Sequence, residues 1–147
     1  MRSVAQRNDG FFVFKGPMRA RARQRVTALR IRTASVNAKA GSLSGGNQQK
    51  VVFAKWLESA PSVMVLDDPT RGVDVGAKAE MHGLIRAAAQ GNAVVLLSST
   101  DLMELSSICD RVLVFFQGRI CAELQGETLS VHTVLESMNT GAGTAAA

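Results

Sequence analysis

Two short, uncharged aliphatic runs constrain the fold of this chain more than any other feature. Val63-Met-Val-Leu66 and Ala93-Val-Val-Leu-Leu97 both read as buried strands. Between them, Gly76–Gln90 has a helical pattern, with Met81, Leu84, Ile85 and Ala88 on one face and Gly91 as its stop. Strand, helix and strand in that order predict an α/β layer with parallel strands. A short helix from Asp101 to about Ile108 leads to a third strand, Arg111–Phe116. Gln117-Gly118 then turns the chain back as a terminal β-hairpin through Ile120–Leu124. A last helix is expected over roughly Leu129–Met138, with residues 139–147 a disordered Gly/Ala tail.

Upstream of the first strand, Pro17–Leu29 reads as a helix with a thin apolar stripe of Ala22, Val26 and Leu29. Thr33–Gly41 reads as a loop. Leu43-Ser-Gly-Gly-Asn-Gln-Gln-Lys50 then opens an amphipathic helix carrying Val52, Phe53, Trp56 and Leu57, which stops before Pro61. Trp56 is expected to anchor that helix in the core. The 147 residues suit one compact domain, and 46% hydrophobic against 20% charged residues is a globular balance. Aliphatic and aromatic runs reach only five residues, whereas a membrane span needs about 20. No transmembrane segment is therefore expected. The first ten residues contain no apolar core, so no secretory leader is expected either. Two cysteines, Cys109 and Cys121, make neither a disulfide framework nor a metal site; they read as small buried hydrophobes in a reducing cytoplasm. His82 and His132 have no partner at ligand spacing and read as packing or surface residues.

Charge is unevenly spread. Residues 1–40 hold ten Lys/Arg and one acid, while residues 41–147 hold seven against eleven, so the overall +5 comes from the first quarter alone. Such a block suits RNA, an acidic membrane surface, an acidic partner, or merely a solvated helix face. Phe11, Phe12 and Phe14 stand apart from the arginines rather than interleaving with them, which disfavours nucleic acid as a partner.

Two places carry chemistry. Ser44 is a suitable N-cap, and Gly45 and Gly46 allow another backbone to approach the first turn. A helix start of this kind offers N–H groups and partial positive charge to an anion; an ordinary capped helix after a glycine turn has the same sequence. Asp67 and Asp68 follow a strand at its carboxyl end, where open α/β sheets bind ligands. One carboxylate there can hold Mg²⁺ through its waters and a second can orient an attacking water; two solvated acids before Pro69 fit the sequence as well.

In combination, LSGGNQQK, a dozen helical residues and then VMVLDDPTRGVDVGAK resemble the ATP-binding subunits of ABC transporters. The wording LSGGNQQKVVFAKWL and PTRGVDVGAK is similar to the second nucleotide-binding half of the tandem ATPase subunit of bacterial monosaccharide importers. The resemblance implies part of a P-loop NTPase domain, with the phosphate-loop strand absent. Residues 1–40 would then belong to the helical subdomain, and 41–138 to the signature helix, Walker B strand, D-loop and C-terminal core. It further implies that Leu43, Ser44, Gly45, Gly46, Asn47 and Gln48 form the signature that binds the γ-phosphate of ATP held mainly by an opposing half. Asp67 would be the Walker B aspartate that holds Mg²⁺. Asp68 would stand at the catalytic-glutamate position, Asp74 in the D-loop, and Thr100 at the switch-histidine position. The implied partners are an upstream half with a P-loop, transmembrane permease subunits and, indirectly, a periplasmic sugar-binding protein. The implied location is the cytoplasmic face of the inner membrane when assembled, and the cytoplasm otherwise.

This sequence also departs from the family pattern. It contains no Gly-x₄-Gly-Lys-[Ser/Thr]. Asp68 is one methylene shorter than Glu, about 1.5 Å of reach, and a misplacement of about 1 Å can cost about 10²-fold in rate. Thr100 cannot take up a proton as histidine does. The expectation is a truncated ATPase component, inactive alone, that completes shared ATP sites in a sugar importer. A decayed remnant, or a regulatory module using residues 1–40 as a basic arm, are the alternatives. By the same resemblance, the strands matching Ala93–Leu97 and Arg111–Phe116 would flank the missing phosphate-loop strand and have unpaired edges.

Overall fold

The computed structural model describes residues 15–141. Residues 1–14, with the Phe11–Phe14 cluster, and residues 142–147 lie outside that range. The chain divides into two compact units, one of Met1–Met64 with Pro69–Val95 and one of Val65–Asp68 with Leu96–Ala147.

In the first unit, α1 (Lys15–Ala28) has Pro17 in its first turn, where its lack of an N–H costs nothing. Its end is held by the Leu29 N–H donating to Arg25 O at 2.9 Å and the Ile31 N–H to Val26 O at 2.9 Å, which draws Leu29 and Ile31 into the core. Arg25 pairs with Glu58 at 3.0 Å. A loop and a 3₁₀ turn, Ala40–Ser42, lead to α2 (Gly45–Leu57), which buries Gly46, Lys50 and Phe53. These three lie four and then three residues apart, on one stripe. Trp56 and Val52 sit about 80–120° round the helix from it, so Trp56 is 52% exposed and does not anchor the core. The Lys55 ammonium lies 5.8 Å from its ring centre instead. α3 (Val75–Gln90) turns Met81 and Ile85 inward. Gly91 caps it with φ −81°, and the left-handed residue that ends the helix is Asn92, at φ 69°.

β1 (Val63–Asp67) and β2 (Val94–Ser98) pair in parallel. The Val94 N–H donates to Ser62 O at their starts and the Asp68 N–H to Ser98 O at their ends, both at 2.8 Å. Their aliphatic composition suggests burial on both faces, but the structure covers only one. Met64 is buried, whereas Val63, Val65, Val94 and Leu96 are exposed, Val65 by 74%. Each strand has a single neighbour among the described residues.

In the second unit, α4 (Leu102–Ile108) precedes an antiparallel pair, β3 (Arg111–Phe116) and β4 (Arg119–Gln125). Gln117 and Gly118, at φ 48° and 78°, form the two-residue turn whose twist suits a hairpin. Val112 and Val114 face Leu124 and Ala122 and, with Val134 of α5 (Val131–Thr140), make the core. The register slips after Val114, leaving Cys121 as an extra residue whose thiol lies 3.5 Å from Val114 O. Burial, with the charges of Asp110 and Glu104, pushes the Cys109 thiol above its usual range, so it is a packing group rather than a nucleophile. α5 starts with a reciprocal Ser130–Thr133 cap and ends at Gly141, φ 65°, where any Cβ would lie 2.6 Å from the Phe116 ring. The helix therefore includes residues 139 and 140, which the sequence reading assigned to a disordered tail.

The outer positions of β3, Leu113 and Phe115, are exposed, Phe115 by 65%, and among the described residues β3 pairs only with β4. Exposed apolar strands with one unpaired edge recruit other strands. The purified 147-residue chain should therefore scatter light and bind a hydrophobic dye at micromolar concentration, and Leu96→Lys with Phe115→Lys should reduce both signals. Neither signal from the unmodified chain, or equal signals from the double variant, would contradict this.

Candidate functional site

In the first unit the start of α2 is the candidate anion-facing surface. Ser44 has the extended backbone of an N-cap, but its side chain makes no capping bond. Its Oγ instead accepts from Asn47 Nδ2 at 2.8 Å, while Asn47 Oδ1 accepts the Arg32 N–H at 2.7 Å. Gln48 Nε2 donates to Leu43 O at 2.8 Å. The amide side chains of Asn47 and Gln48 thus brace the loop that enters the helix. Ser44 and Gly45 are left at the surface, at a helix end whose first N–H groups have no intrahelical acceptor.

The two glycines have different work. A Cβ on Gly45 would meet only Gly72 O, at 3.7 Å, so its side is open. A Cβ on Gly46 would lie 2.5 Å from Ala77 Cβ, so α3 of the same chain, not an incoming ligand, requires glycine there. Gly72, at φ 73°, bends the Thr70–Asp74 segment against the start of α2. Asp74 caps α3 by accepting the Ala77 N–H at 2.8 Å. The Ser44–Gly45 helix start and the Gly72–Asp74 segment, far apart in sequence, are therefore neighbours.

In the second unit Asp67 is exposed at the end of β1, and Asp68 follows at φ 42°. That left-handed conformation suits Asp better than most residues. Asp68 Oδ1 accepts from the Thr100 N–H at 2.8 Å and from Thr100 Oγ1 at 3.2 Å. The two positions suggested separately by the sequence are thus bonded to one another. Asp101 caps α4 through the Met103 and Glu104 N–H groups, and the Ser99 hydroxyl donates to Glu104. Glu104 is only 1% exposed, and nothing in the sequence marks it as buried. His132 lies at the surface, 3.9 Å from Glu136.

Among the described residues no group of three or more His, Cys, Asp or Glu side chains could hold a metal ion. Two adjacent carboxylates and one open helix start fit fragments of a Mg-ATP site. A whole site does not fit, because the sequence has no phosphate loop.

Residues 3–71 match the family model described as ABC transporter. The ribose import ATP-binding protein RbsA of Chelativorans sp. (strain BNC1) is 52% identical over 101 residues, covering 69% of this chain and 20% of that protein. RbsA 2 of Streptomyces avermitilis is 43% identical over 123 residues, covering 84% of this chain and 24% of its own. The chain belongs to the ABC transporter ATP-binding family. It spans about a fifth of the length of these relatives. Its fold is that of the solved cassettes. A nucleotide-free ATP-binding cassette from an ABC transporter superposes with a TM-score of 0.74 at 24% identity, over 90% of this chain and 53% of the cassette. A cassette in its ADP conformation gives 0.67 at 25% identity, over 89% and 51%. Among the described residues no helix is long and apolar enough to cross a membrane.

Gly46→Ala forces the α2–α3 contact apart and should destabilise the chain by about 1–3 kcal/mol, read from urea melts. Asp68→Asn keeps an acceptor for both Thr100 bonds and tolerates the left-handed backbone. It should leave stability within about 0.5 kcal/mol, whereas Asp68→Ala should cost about 1–3 kcal/mol. Equal losses for the two would show that the Thr100 bonds contribute nothing.

Proposed function

We propose that this chain is part of the ATP-binding component of a ribose-type sugar importer, and that it completes ATP sites together with a partner half that carries the phosphate loop. The observation that carries this reading is the open Gly45 helix start, held beside Gly72–Asp74, in a chain closely similar to ribose import ATP-binding proteins. Ser44, Gly45 and the first-turn N–H groups would face the γ-phosphate of ATP bound by the partner, where a helix start stabilises negative charge. Asp74, capping α3 beside them, would fix the rim of that surface. Asp67 and Asp68 would serve the other shared site, Asp67 holding Mg²⁺ through water and Asp68 orienting a water. Thr100 ties Asp68 back to the strand end and is no base at neutral pH. The site served by the α2 start would therefore carry most turnover. Permease subunits at the cytoplasmic face of the membrane would be the mechanical partners, and a sugar-binding protein would deliver the substrate to them.

The 147-residue chain alone should show no micromolar binding of Mg-ATP by calorimetry. With a P-loop-bearing half supplied, ATP hydrolysis should appear. Gly45→Asp, which sets a carboxylate against the phosphate without disturbing Ala77, should then lower the rate by roughly 10²-fold or more. Asp68→Asn should cost only a few-fold on the same scale. Equal damage from both substitutions would make Asp68 a full catalytic carboxylate and overturn the asymmetry.

A further inference from the structure

Lys50, the lysine that follows the Asn47-Gln-Gln49 stretch of α2, is only 3% exposed. Burying an ammonium is unfavourable unless it is paired and hydrogen-bonded. Its Nζ donates to Glu80 of α3 and to Arg30 O, the latter at 3.1 Å. The Lys50 hydrogen bond and charge, aided by Arg32 and Arg30, hold the Glu80 carboxyl below the usual carboxylate range. The pair therefore persists above that lowered value and opens only as pH falls through it.

The attachment is directional. Gly46 touches Ala77, and one turn further along each helix Lys50 pairs with Glu80. Two successive turns of α2 are thus fixed to two successive turns of α3. The loop after α1 joins the same cluster twice, through Arg30 O on Lys50 and through the Arg32 N–H on Asn47, whose amide in turn holds Ser44. A methionine of similar length would fill this space without a desolvation penalty, so the buried charge is there for its bonds rather than its bulk.

We propose that Lys50 is a positioning residue: through Glu80 and Arg30 O it sets the place and direction of the first turn of α2, and hence of the Ser44–Gly45 surface. The importance of that surface rests on the function proposed above; the attachment itself does not.

The test is hydrogen exchange by mass spectrometry on the full chain carrying Lys50→Met, Lys50→Arg or Glu80→Gln. Lys50→Met and Glu80→Gln should speed exchange about tenfold in segments 43–50 and 74–80, leaving 102–108 and 131–140 within about twofold. Lys50→Arg, which keeps the charge and two donors, should restore most of the protection. Unchanged exchange at 43–50, or an equal rise in all four segments, overturns the proposal; if Lys50→Met does not fold, the isosteric Glu80→Gln decides. In the pair with a P-loop half, Glu80→Gln should lower kcat by roughly 10²-fold with KM for ATP within about twofold, as a displaced helix start predicts. A wild-type pair without turnover would refute the proposed function, and the exchange pattern would still judge the clamp.

Discussion

The close approach of α2 to α3 at Gly46 and Ala77 is the contact on which the first unit depends. Without a side chain at Gly46 the two helices meet at backbone distance. That proximity brings Glu80 within reach of a lysine four residues along α2, and lays the Gly72 bend against the helix start. Asp74 then fixes the beginning of α3 by capping it. One missing methyl group thereby determines where the exposed Ser44–Gly45 helix start and the loop beside it come to lie.

The second unit is organised differently. Its core is a two-stranded ribbon packed on α5 and α4, with alternation along β3 and β4 supplying the inward residues. Such a ribbon is marginal alone and depends on its helices for burial. The acids Asp67 and Asp68 are carried at the end of β1, and the backbone of residues 98–101 fixes their surroundings. The chain thus holds its two candidate sites, the exposed Ser44–Gly45 helix start and the Asp67–Asp68 carboxylate pair, on separate packing arrangements.

Elements whose signals are local were legible in the sequence. Pro61 after α2, Gln117-Gly118 between β3 and β4, and the apolar spacing of α3 all act within a few residues. Details set by distant partners were not legible. Nothing in the sequence marks Lys50 as buried until Glu80 is brought beside it, or Glu104 until the Ser99 hydroxyl meets it. Trp56 looks like an anchor until the helix phase is fixed by Gly46. The aliphatic runs of β1 and β2 suggested strands buried on both faces, because composition records which surfaces a strand can bury rather than which neighbours are present. For the site, the sequence singled out Asp68 and Thr100 individually. Their bond, across 32 positions, is a property of the folded backbone.

The left-handed backbone at Asp68 narrows the choice of acids that can occupy this position. A glutamate there would have to adopt φ 42° without the short side chain that makes such a turn easy for Asp and Asn. Its carboxylate would also overreach the Thr100 N–H that now donates to Asp68 Oδ1. Placing the longer acid here therefore asks for more than one change, because the backbone and the acceptor of the Thr100 bonds would have to change with it. The shorter acid is matched to its own turn.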